Sequence, residues 1–207
     1  KAVYHRQITS VALESRVSPR ALEAILLANL GQDGWEGLLF HPEFHFDDSR
    51  FQAGSAYLAK QRAQARSSLQ AGNPLLAWQA FGRLTHAIQD FYAHSNYVQL
   101  YLEAYPQSLL SEIDPLAPEI LTDRRLHSGS VHWGWEFILH FLPGLASLMQ
   151  DRIPADTHAA MNLDHPARSP LFDFAMQVAV KRTTHEFHEL LGPLDARARS
   201  LFCDQPE

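Results

Sequence analysis

Residues 74–98 read PLLAWQAFGRLTHAIQDFYAHSNYV. From Pro74 to about Tyr105, apolar side chains recur at Leu75, Trp78, Leu84, Ile88 and Phe91, a spacing that fits a helix buried against its neighbours. Within that helix His86, Asp90 and His94 stand four residues apart, twice in succession. A four-residue step rises about 6 Å and rotates about 40° past a full turn. His86 and Asp90 can therefore chelate one ion, and so can Asp90 and His94. The two outer imidazoles lie roughly 12 Å apart along the axis, too far to close on a single ion with bonds of about 2 Å. Such a stripe predicts a multinuclear site in which Asp90 is free to bridge. The competing reading is a set of buried polar residues satisfied by neighbours.

Outward from this stretch the period stays helical. SPRALEAILLANLG (18–31) places Ser18 to cap, Pro19 at the first helical position and Gly31 at the end. Residues 50–70 form a polar-faced helix that AGNP (71–74) breaks. Ser169-Pro170 opens another helix, and Gly192-Pro193 closes it. Irregular stretches are expected at 32–48, 106–130 and 151–168. Strand alternation, repeats and low-complexity tracts are absent from the sequence. The expected fold is an all-α, single-domain helical bundle over 1–207, with long loops carrying part of a metal site built from inward-facing side chains.

Composition narrows the chemistry. Hydrophobic residues make up 46% and charged residues 19%, ordinary globular values for 207 residues, enough chain for a sizeable core. A net charge of −6 argues against duplex nucleic acid held on a basic surface. Cys203 is the only cysteine, so an intramolecular disulfide and a thiolate zinc site are both excluded. Any metal must sit on imidazole and carboxylate, and the chain carries twelve histidines. No apolar run reaches the roughly 18 residues of a membrane span; FILHFLPGLASLM (137–149) is broken by His140, Pro143 and Gly144. The absence of an initiating Met fits a trimmed mature chain, and a secreted or periplasmic compartment is expected over a cytoplasmic one.

Three further positions can complete the stripe: His5 in YHRQIT (4–9), just before a helical run; Asp33 in ANLGQD (28–33), where a helix gives way to a loop; and His45 among the aromatics of PEFHFDD (42–48). In this order, with HAIQDFYAHSN, they resemble the zinc-dependent phospholipase C and single-strand nuclease superfamily, most of all its bacterial and Het-C-like branch. The resemblance spans about residues 4–190. It implies zinc, two or three ions, held by His5, Asp33, His45, His86, Asp90 and His94. It adds a late pair, His158 and Asp164 in HAAMNLDHP (158–166), preferred because AMQVAVKRTTHEF (175–187) also resembles that branch. His132 and Glu136 of HWGWE (132–136) are the alternative pair, at the spacing of the spore-former enzymes. Family members with three zincs use the mature amino terminus, usually a Trp; here Lys1 stands there, so a third ion is bound differently or is weak or absent.

The function so implied is zinc-dependent phosphodiester hydrolysis, phospholipase C acting on phospholipid head groups. A metal-bound water would attack phosphorus, and Asp33 would be the catalytic carboxylate that orients or deprotonates it. The partners expected are a phospholipid or other phosphodiester and a peripheral membrane contact. Two alternatives stand beside it: a single-strand nuclease stacking bases on aromatics, and a zinc-stabilised Het-C-like interaction module without catalysis. Among the remaining motifs, HEFHE (185–189) lacks the HExxH spacing of metalloproteases and reads as a solvated helix face. Asp47 and Asp48 are candidates to orient His45. Trp133 and Trp135 are candidates to wall a pocket, and Ser95 and Asn96 read as caps or packing residues.

Overall fold

The computed structural model describes residues 2–33, 42–130, 157, 161, 163, 166 and 169–205. These residues form an all-α fold. Its helices are α1 (Ala2–Leu13), α2 (Pro19–Leu30), α3 (Phe51–Gln70), α4 (Pro74–His94), α5 (Tyr97–Ala104), α6 (Pro118–Leu121), α7 (Phe172–Leu191) and α8 (Ala196–Cys203). Four 3-10 turns punctuate them: Gly31–Asp33, Pro42–Phe44, Asp47–Ser49 and Leu110–Glu112. Extended pairing among the described residues is limited to the isolated bridges Ser95–Ser128 and Ser130–Thr157. No described helix is long and apolar enough to cross a membrane.

α4 is the spine. Asn73 caps its start by accepting from the Leu76 amide at 3.2 Å, and Pro74 fills the first turn, where a missing N–H costs nothing. From Trp78 to His94 nearly every residue is buried, so the helix is enclosed on all sides. α1, α2, α3 and α7 pack around it. Close approach of α2 depends on Gly82, where a Cβ would overlap the Ile25 carbonyl and lie 2.8 Å from the Ala28 Cβ. One turn earlier α8 docks through Trp78, whose indole N–H donates to the Phe202 carbonyl at 2.7 Å. Ser18 caps α2 as expected, accepting from the Ala21 amide at 3.1 Å, and its hydroxyl also donates to Asp204 just beyond α8.

Four features differ from the sequence expectation. The spine ends at His94, not near Tyr105, because Ser95 is extended (ψ 166°) and Asn96 turns its side chain to a distant segment. Asn96 Nδ2 donates to the Arg125 carbonyl at 2.9 Å and its Oδ1 accepts from the His127 amide at 2.9 Å. Those bonds draw the backbone out of the helix. His5 lies inside α1, not before it. The stretch 106–130, expected to be irregular, contains α6. The helix announced by Ser169-Pro170 begins at Phe172, with Ser169 Oγ accepting from the Leu171 amide at 3.0 Å.

Candidate metal centre

Asp90 stands at the middle of the spine, with side-chain exposure of 2%. Its i±4 neighbours His86 and His94 share its face of the helix, as the 3.6-residue repeat requires. His5 arrives from α1. Its Nδ1 donates to Gln89 Oε1 at 2.8 Å, so Nε2 is turned toward Asp90 Oδ1, 3.2 Å away. Gln89 is itself pinned: its Oε1 also accepts from Asn29 Nδ2 at 3.2 Å, and its Nε2 donates to Thr9 Oγ1 at 2.9 Å.

His45 comes from the turn between two 3-10 segments. Phe46, Asp48 and Ser49 all take left-handed backbone (φ 54–56°), costly for non-glycine residues and a mark of a constrained turn. Ser128 provides much of the constraint. Its hydroxyl donates to the Phe46 carbonyl and accepts from the Ser49 amide at 2.9 Å, while its own amide donates to Ser49 Oγ at 3.1 Å. Asp33 ends the 3-10 turn that follows α2, and Gln32 beside it anchors that turn by donating to Tyr57 Oη at 2.7 Å.

Asp90 Oδ2 lies 2.6 Å from His45 Nδ1 and 3.3 Å from His86 Nε2, and those two nitrogens are 3.2 Å apart. Asp33 Oδ1 is 3.9 Å from His86 Nε2. One donor atom from each of Asp33, His45, His86 and Asp90 falls within 4.8 Å of the other three. On the opposite oxygen, Oδ1, the neighbours are His5 Nε2 at 3.2 Å and His94 Nε2 at 3.7 Å. Each carboxylate oxygen thus faces two imidazoles. His5 and His86 stack with ring centroids 4.5 Å apart.

Electrostatics follow from this crowding. For Asp90, burial pushes the pKa up, but His86, His45 and His5 outweigh it and hold the carboxyl well below its ordinary range. Burial likewise works against a charge on His5 and His45, yet Asp90 prevails and raises both. His86 goes the other way, lowered by complete burial and by the two neighbouring imidazoles despite Asp90.

The residues present suit an imidazole-preferring divalent ion. Tetrahedral bonds of about 2 Å put ligand atoms about 3.3 Å apart, and the His86 Nε2 separations from Asp90 Oδ2 (3.3 Å) and His45 Nδ1 (3.2 Å) match that. When neutral, His5 spends its Nδ1 proton on Gln89 and turns a bare Nε2 lone pair at Asp90, whereas four protonated imidazoles would overwhelm one negative charge in a buried space. A cation between nitrogen and oxygen relieves both conditions. Histidine ligands usually give their second nitrogen to an outer partner. His5 has that partner in Gln89, while His45 Nε2 and His86 Nδ1 have no hydrogen-bond partner among the described residues.

Six of the eight expected ligands, His5, Asp33, His45, His86, Asp90 and His94, therefore converge. His158, Asp164, the alternative pair His132 and Glu136, and Trp133 and Trp135 lie outside the described residues. Asp47 is buried and its charge helps raise His45. Gln89 was not among the sequence candidates; its one signal was a polar residue on the buried helix beside Asp90. The reading of HEFHE as a solvated face needs correction too. Glu186 is buried and takes bonds from Arg62 and Arg182.

A family model described as the VWA7 N-terminal domain matches residues 2–118, more than half of the chain. The von Willebrand factor A domain-containing protein 7 of Mus musculus is 36% identical over 86 residues, and that of Homo sapiens is 37% identical over the same length. The alignments cover 42% of this chain and 10% of each relative, so the matched stretch is about a tenth of those proteins. No solved structure matches the chain.

These matches overturn the resemblance to the zinc-dependent phospholipase C and single-strand nuclease superfamily. With it fall the assignment as a phospholipase C-type hydrolase and the nuclease and Het-C-like alternatives. The physical reason is that a His-x3-Asp-x3-His stripe encodes chelating geometry, which any buried helix can present, and not a reaction.

Proposed function

The chain belongs to the VWA7 N-terminal domain family, and from that premise we propose that it is a metal-binding helical domain. A divalent transition-metal ion, zinc as the first choice for an imidazole and carboxylate set, is held by Asp33, His45, His86 and Oδ2 of Asp90. A second ion lies on the other oxygen of Asp90, with His5 and His94. The role is to fix α1, α2, α4 and the 42–49 turn against one another, within what the relatives' length makes a part of a larger protein.

The observation that carries this reading is the pairing of two imidazoles with each oxygen of one buried carboxylate. Metal-to-protein ratios after equilibrium dialysis test it. Wild type should retain two ions, His45→Ala and His5→Ala one each, and Asp90→Asn neither. Retention of no stoichiometric metal by the folded wild type would overturn the proposal.

A further inference from the structure

On a different face of the spine from the metal centre lies a cavity of about 290 Å³. Phe46, Phe51, Leu58, Ile88 and Phe91 form much of its wall, Ser55 is exposed at its edge, and Arg182 of α7 is the cationic group that lines it. None of the residues around the Asp90 carboxylate takes part.

The charge balance beside this cavity is uneven. Glu186, 1% exposed, accepts from two guanidinium groups. Arg62 Nε and Nη2 reach its Oε2 at 3.1 and 2.5 Å, and Arg182 Nε and Nη2 reach its Oε1 at 3.0 and 2.6 Å. Both oxygens are filled, so among the described residues one carboxylate faces two cations and a positive charge is left over, largely out of water. Tyr92, the other ionisable lining group, does not supply the missing anion: complete burial pushes its hydroxyl far above the usual phenol range, so it stays neutral. No Asp or Glu is among the described lining residues.

We propose that this cavity binds an amphiphilic monocarboxylate, with its apolar body against the Phe and Leu wall and its carboxylate beside Arg182. An apolar pocket of this size with one fixed polar group matches the usual construction of small-ligand sites. A carboxylate supplies the counter-charge beside Arg182, whose Nε and Nη2 are already held by Glu186.

Calorimetric titration of the full chain with decanoate and with 1-decanol, below their aggregation limits, tests this. Decanoate should bind about tenfold or more tightly than the alcohol, since the two differ only in the charged head. Arg62→Met leaves the Arg182–Glu186 pair intact but removes the surplus charge, and should shrink that preference severalfold. Ser55→Trp at the exposed edge should weaken both ligands by about tenfold through occlusion, without disturbing the core. Equal affinity for acid and alcohol, or insensitivity to Ser55→Trp, would overturn the proposal.

Discussion

Tyr57 shows how a residue outside the ligand set shapes the centre. Its hydroxyl holds Gln32, and through it the turn that ends in Asp33. Burial pushes that hydroxyl up to about 12 from 10.0, against the opposing pulls of Arg83 and Gln32. The folded state therefore favours the neutral phenol. Its contribution to stability is whole below pH 10.0 and is lost as pH rises through about 12. Urea midpoints for wild type should fall across that window more steeply than those of Tyr57→Phe, which should itself be about 1 kcal/mol less stable at neutral pH. Gln89→Leu should act more strongly, leaving Thr9 and Asn29 short of a partner, at about 1–3 kcal/mol in the metal-free protein. It should also weaken metal binding by about tenfold or more, since His5 would lose the group that orients it; competition with a chromogenic chelator reads this directly. At this scale His86, Asp90 and His94 were legible because ligand types recur at the period of a helix. Gln89 was not, because an amide has no ligand signature and its role depends on α1 and α2 lying against α4.

Among the elements, the pairing of α2 with α4 rests on an absent side chain. Gly82→Ala improves helix propensity, yet the new Cβ meets backbone that does not rotate away. The helices must separate, and the expected cost is about 1–3 kcal/mol, measurable as a lower thermal midpoint. Ser128→Ala should behave differently. It leaves the helices alone and loosens the left-handed turn that carries His45, so metal affinity should drop while helical circular dichroism is unchanged. The helices around 18–31, 50–70 and 74–94 were legible from caps, prolines and apolar spacing. The break after His94 was hidden because Tyr97, Val98, Leu100 and Tyr101 continue the apolar pattern, while the bonds that impose the break come from residues 125–127. HEFHE misled for the same reason: Arg62, the partner that draws Glu186 inside, is 124 residues away.

Across the whole molecule the proposed ions join segments distant in sequence: α1, the end of α2, the 42–49 turn and the spine. Metal should thus act as a fold cross-link. At a free concentration about 100-fold above the dissociation constant it should add about 2.7 kcal/mol, so a chelator should lower the melting temperature of wild type but not of Asp90→Asn. The all-α architecture was legible because helical periodicity runs through most of the chain. The reaction was not, because chelating residues in helical register define a binding geometry and leave chemistry open. The most direct test of the centre is anomalous diffraction at the zinc absorption edge from crystals of the zinc-loaded protein. Density peaks within bonding distance of both Asp90 oxygens, one beside His45 and His86 and the other beside His5 and His94, are the predicted result. Zinc found only at surface sites, with the Asp90 oxygens contacting protein alone, would contradict the account.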